Sequence, residues 1–216
     1  MLQFYRYAKH SYFLSILSLG IVGMMVGLVN PAAFSQTHYT MNAYLRCTRD
    51  DSILKAFTLM GDGYGESSLD RIVNKPMRVI FKDLGTMHKS LKNYDALSWI
   101  SNQGEQVIFV NEKHRAAPPE ALAALIAHEA LHDDEYNSLN EEVQSWRHEA
   151  VVWMELKVKN PKLSEIRPGE VPLVDRENRI EAEYKKGNLE RFVRSSPGYR
   201  KLPETSPGFS PTTAAQ

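Results

Sequence analysis

The segment Ile126-Ala127-His128-Glu129-Ala130-Leu131-His132 places two histidines four residues apart, with a glutamate directly after the first. On a helix that spacing stacks His128 and His132 on one face, one turn above the other, so both imidazoles reach a single ion. Glu129 is rotated by about 100° from His128, so its carboxylate reaches a water on that ion without serving as a ligand. A zinc ion with three protein ligands and one open position lowers the pKa of its bound water toward about 7, and a nearby carboxylate then accepts the proton. The pattern therefore predicts hydrolysis, with His128 and His132 as metal ligands and Glu129 as general base. An otherwise Ala- and Leu-rich helix has no use for these three polar groups unless something satisfies them, because buried polar groups without partners are costly.

The elements that must position these residues can be read on either side. Ahead of the motif, Pro118-Pro119 suits a first helical turn, and Glu120 to Leu125 are strong helix formers. After it, Asp133 to Ser138 reads as an acidic turn in which Ser138 or Asn137 caps the next helix, and Glu141 closes a capping box with Ser138. That second helix carries an apolar stripe through Val143, Trp146, Ala150, Trp153, Met154 and Leu156. Upstream, Ala96 to Ser101 and Gln106 to Asn111 flank Asn102-Gln103-Gly104-Glu105 and predict a β-hairpin, while Met77 to Phe81 predicts a strand. Thr40 to Met60 shows helical spacing and predicts one helix packed on the sheet, followed by a loop at Gly61 to Gly65 and a helical turn over Ser67 to Val73.

His-Glu-Ala-Leu-His on one helix, followed by a short loop and a second helix carrying Glu141-Glu142, resembles the zincin metallopeptidases, and more narrowly their gluzincin branch. The likeness covers about residues 105 to 157. It implies a small α+β zincin-like domain in which a short mixed or antiparallel sheet packs on the motif helix, with a glutamate from the following helix as third zinc ligand. A helical wheel puts Glu142 about 60° from the middle of the apolar stripe and Glu141 on nearly the opposite side, facing solvent, which selects Glu142. Asp133 or Asp134 is the alternative ligand. In several gluzincin families an alanine then an aspartate stand where this chain has Ser145-Trp146; Glu149, on the same sector as Glu142, is the candidate replacement for the missing supporting carboxylate. The resemblance further implies that Val107 to Asn111 is the sheet edge on which a peptide lies. It also implies a donor for the oxyanion, for which Tyr136, His114 and Arg115 are the available groups.

The rest of the chain sets the context. Arg6, Lys9 and His10 precede an uncharged apolar run from Phe13 to Val29, and Ala33-Phe34-Ser35 has the small residues a signal peptidase needs. Residues 1–35 are thus expected to be a signal peptide or N-terminal anchor, 36–202 the metallopeptidase domain, and 203–216 a disordered tail rich in Pro, Ser and Thr. The protein is expected to be exported, periplasmic or extracellular, with membrane contact only through an uncleaved N-terminal segment. The 26 Lys and Arg balance 26 Asp and Glu, and that neutrality argues against a nucleic-acid partner. The single Cys47 excludes an internal disulfide framework and a multi-cysteine zinc site, and reads as a small buried helix residue. Asp175 to Lys186 reads as a charged helix with a solvated face, and Leu189 to Val193 as a last short helix. The expected partner is a peptide or protein substrate. The alternatives are an exported zinc-binding domain without catalysis that binds an envelope partner, or a cell-wall amidase.

Overall fold

A computed structural model describes residues 39–101, 103–132 and 137–207; the expected leader at 1–35 and the residues from 208 onward lie outside the described residues. The chain opens with α1 (Met41–Cys47) and α2 (Asp51–Met60), which replace the single helix expected over Thr40 to Met60. The break arises at Asp50, whose extended backbone and side chain, accepting from Ser52 N at 3.0 Å, start a new helix. Cys47 lies buried at the end of α1. Then follow α3 (Glu66–Asn74), β1 (Arg78–Lys82), the single turn α4 (Leu84–Met87), β2 (Ala96–Ile100) and β3 (Gln106–Asn111). The second half is helical: α5 (Pro119–Glu129), α6 (Leu139–Lys159), α7 (Pro172–Lys185) and α8 (Leu189–Ser195). The class is α+β, with helices dominant around one small sheet.

The sheet has the order β1-β3-β2, with β1 parallel and β2 antiparallel to β3. The expected hairpin is present, and Gly104 makes its turn at φ +78°, where a side chain would be strained. The expected role of Val107 to Asn111 as the edge is corrected: β3 is the central strand, hydrogen-bonded on both sides, and β1 and β2 are the edges among the described residues. The apolar content of β3, with Ile108 and Val110 fully buried, is that of an interior strand.

At the centre lies α5. Every residue from Ala121 to Ala127 is buried, which suits a helix that is apolar all round and enclosed by other elements. Its alanines let α2 and α6 approach closely, and Leu122, Leu125 and Ile126 each contribute about 1.5–3 kcal/mol by leaving water.

Helix α6 is wedged between two apolar clusters. Val152, Trp153 and Leu156 join the main core, whereas Val143, Trp146 and Ala150 pack with Ile180 of α7 and with Leu189 and Val193 of α8. Two further expectations change here. The charged helix begins at Pro172 rather than Asp175, and two of its charged residues, Arg176 and Glu177, face inward into ion pairs. The segment from Pro203 is not wholly tail, because Pro203 O and Glu204 O accept from the free N–H groups of Leu139 and Asn140 at the start of α6.

Candidate metal centre

The motif helix ends sooner than the spacing implies. Regular α5 stops at Glu129, and the last turn tightens, with Leu131 N donating to His128 O. Arg71 of α3 caps this end: its Nε donates to Ala130 O at 2.8 Å and its Nη2 to Leu131 O at 3.3 Å. His132 therefore stands just past the helix, yet it is fixed from two sides. Gln106 Nε2 of β3 donates to His132 O at 2.9 Å, and Glu141 Oε1 lies 3.1 Å from His132 Nδ1. The rings of His128 and His132 are 5.4 Å apart between centroids, so the pair still faces one point.

Glu142 completes that point from α6. Its Oε2 is 3.6 Å from His128 Nε2 and its Oε1 is 3.9 Å from His132 Nε2. The ligand atoms of His128, His132 and Glu142 all lie within 4.8 Å of one another, a buried group that could hold a metal ion. Trp146 Nε1 donates to Glu142 Oε2 at 3.2 Å, and the Asn137 amide donates to Oε1. An indole N–H thus stands where the resemblance led one to expect a carboxylate.

The outward nitrogens of both histidines are held by acids. Glu149 Oε2 lies 2.9 Å from His128 Nδ1, two helical turns after Glu142 and on the same sector of α6. Glu141 was expected to face solvent and does not: it is 1% exposed and holds His132, and Ser206 Oγ donates to its other oxygen at 3.4 Å. The wheel failed because α6 is buried on two sides, so a single apolar stripe does not divide it into inside and outside. The N-cap half of the expected box is nonetheless formed, with Ser138 Oγ accepting from Glu141 N.

Behind Glu149 lies Arg176 of α7, whose guanidinium donates to Glu149 and Glu177 and pairs with Asp95 Oδ2 at 3.2 Å. Burial alone would raise the Glu149 carboxyl, but Arg176 and His128 outweigh it and hold it at about 2. Burial likewise opposes Glu142, which its hydrogen bond to His128 and the charge of His132 bring down to about 2. Glu129 differs. Burial pushes its carboxyl above the ordinary range despite both histidines, which moves it toward the value that suits a proton acceptor near neutral pH. Burial also disfavours the charged His128 imidazole, yet Glu149, Glu142 and Glu129 push it up to about 10. A metal ion entering the group must displace that proton, so affinity falls as pH falls.

Beside these residues opens a cavity of about 520 Å³, walled by β2 from Ala96 to Ile100 on one side and by Gly198, Tyr199 and Leu202 on the other. Tyr199 was not singled out from the sequence. It packs edge-on against Trp146 at 6.0 Å, and burial together with the charges of Glu142 and Glu129 pushes its phenol well above the ordinary value, so it keeps its proton. Of the groups considered as oxyanion donors, His114 is buried against Asp95 at 2.8 Å, and Arg115 pairs with Glu112 and Asp50 over the Phe81 ring. Neither lines the cavity. Tyr136, Asp133 and Asp134 lie outside the described residues.

Arg176 and Tyr199 left no local signal. Each sits in a polar stretch, and only the return of α7 and of the segment after α8 onto α6 brings them to the site. Comparison with models of protein families, with curated proteins and with solved structures finds nothing that matches this chain.

Proposed function

We propose that the protein is a zincin-like, gluzincin-type metallopeptidase in which His128, His132 and Glu142 hold zinc and Glu129 is the general base. The observation that carries this reading is the orientation of the two imidazoles. Each gives its Nδ1 to a separate carboxylate and turns its Nε2 toward Glu142, an arrangement that supporting acids impose on metal-binding histidines. The donor set fits zinc. Two nitrogens and one carboxylate would leave a fourth position open, and tetrahedral ligands at about 2.0–2.1 Å stand about 3.3–3.4 Å apart, somewhat closer than the 3.6 and 3.9 Å between the two Glu142 oxygens and the histidine nitrogens. Bound there, zinc would supply Lewis acidity and lower the pKa of a water toward neutral. Glu129 would accept a proton from the attacking water and return it to the amine as the peptide C–N bond breaks. The Tyr199 hydroxyl, protonated and facing the same cavity, donates to the oxyanion. Export, as a leader at residues 1–35 would direct, belongs to the same reading.

The test is the zinc content of the purified protein beside His132→Ala, by elemental mass spectrometry. One equivalent in the wild type, lost in the variant, is the expected result; no zinc in either after reconstitution overturns the reading. In the wild type zinc affinity should fall about tenfold per pH unit for each proton displaced. Tyr199→Phe should keep the zinc and lower kcat about 10²–10³-fold, with KM little changed. An unchanged kcat would remove Tyr199 from the mechanism.

A further inference from the structure

Two of the three proposed ligands stand where helices fray. His132 follows the end of α5, and Glu142 lies in the first turn of α6, whose leading N–H groups have no acceptor within the helix. The chain after α8 returns to this place. Pro203 O accepts from Leu139 N at 2.8 Å and Glu204 O from Asn140 N at 3.1 Å, which satisfies the two donors ahead of the one that Ser138 caps. The Glu204 carboxylate is held in turn by Arg194 at 2.8 Å, and the same guanidinium donates to Asn140 Oδ1 at 3.0 Å.

Two side chains carry the contact on to the metal group. Ser206 is 7% exposed, and its Oγ donates at 3.4 Å to one oxygen of Glu141, whose other oxygen faces His132 Nδ1. Tyr199 packs edge-on against Trp146, whose Nε1 donates to Glu142 Oε2 at 3.2 Å. His128, by contrast, is held within regular α5 and by Glu149. The returning segment thus bears on the two ligands that helix geometry alone leaves loose. Were it to lift, Leu139 N and Asn140 N would lose their acceptors, and the turn that carries Glu141 and Glu142 would fray.

Resting on the zinc reading of His128, His132 and Glu142, we propose that residues 196–206 form a strap that positions the metal site. Ser206 and the carbonyls of Pro203 and Glu204 are its positioning groups, and docking of the strap and binding of zinc strengthen each other. The coupling is reciprocal: the factor that the docked strap adds to zinc affinity, zinc adds to docking.

The test uses the full chain, in which Arg200 and Lys201 are exposed between the anchoring contacts. A protease needs chain freed from its turns, so tryptic cleavage there follows the undocked fraction. Saturating zinc should slow release of the fragments beginning at Lys201 and Leu202 at least about fivefold, read by mass spectrometry, while cleavage after Lys162 at the far end of α6 changes less than about twofold. Two variants read the other direction by competition with a chromophoric chelator. Ser206→Ala should weaken zinc binding about three- to tenfold, less than the loss of a carboxylate that touches the histidine directly. Leu139→Pro places proline at the first helical position, after the extended Ser138, where the helix accepts it. It removes the N–H that Pro203 O accepts and should also weaken zinc binding. One zinc bound with no slowing at Arg200 and Lys201, or zinc affinity unchanged in both variants, overturns the strap and leaves the zinc reading standing. No zinc bound overturns both. Slowed cleavage and weakened variants in a protein that hydrolyses no peptide keep the strap and remove the hydrolase.

Discussion

Glu129→Gln is expected to retain one zinc per chain while kcat falls by about 10²–10⁴-fold, the range attached to losing a positioned general base. The two side chains have the same shape, so packing at the end of α5, where Glu129 is 7% exposed, is kept. The amide cannot take a proton from water, and that is the property removed. Glu129 stands apart from its neighbours in a telling way. Glu141, Glu142 and Glu149 each have an oxygen within 3.6 Å of a histidine nitrogen, whereas Glu129 lies outside the three-residue metal group while lining the same cavity. Burial raises its carboxyl, which strengthens it as a base at neutral pH. Elemental analysis and steady-state kinetics on one preparation decide the matter. Loss of zinc would make Glu129 a ligand, and full activity with zinc retained would put the base elsewhere.

The motif residues were legible because their chemistry depends on local spacing. Four residues bring His128 and His132 together even though the helix ends between them, since the tightened turn and the cap from Arg71 preserve the facing of the rings. The hairpin, the strand at Arg78–Lys82 and the long α6 were legible for the same reason: each is a period that a short window carries. What failed were inferences that needed a neighbour the local pattern does not show. Glu141 was assigned to solvent because a wheel assumes one buried face, and α6 has two. Strand β3 was taken for the edge because the resemblance implies an edge strand just before the motif helix, and no local pattern shows that β1 pairs across it in parallel. Arg176 was read as part of a solvated helix because charge alternation cannot show that Glu149 and Asp95 wait on the facing elements.

Sequence spacing also hides how the acids share the work. Glu142 and Glu149 sit on one sector of α6 and both carboxyls are held well below the usual range, yet for unlike reasons. Glu142 is held down chiefly by the histidines it faces, and a cation between them would take over that role. Glu149 is held down first by Arg176, so its charge persists whether or not a metal is bound. The orientation of His128 is therefore set before any ion arrives, which lowers the cost of forming the site.

That dependence makes Arg176→Met a strongly destabilising substitution outside the motif. Methionine keeps much of the side-chain volume against Trp146, over whose ring the guanidinium carbon lies at 5.0 Å, but leaves the Glu149 carboxylate buried at 0% exposure with His128 as the cation beside it. Breaking a buried pair by removing one partner costs about 3–5 kcal/mol where the remaining charge is uncompensated, and the His128 imidazole keeps this loss toward the low end of that range. Urea unfolding of the metal-free variant should show that loss, and zinc affinity should drop about 10–100-fold as Glu149 ceases to hold His128 squarely. The pH dependence has a definite sign. A carboxyl depressed in the folded state adds stability above its unfolded pKa, near 4.3, and that stability disappears as pH falls through the folded value of about 2. The wild type should therefore lose stability between those values, and Arg176→Met should lose less there because it has less to lose. Combining Arg176→Met with Glu149→Gln removes the stranded charge as well, so the double variant should be more stable than Arg176→Met alone. A double variant that is no more stable, or an Arg176→Met protein that unfolds at the wild-type urea concentration, would mean that the ion pair does not hold α7 to the metal site.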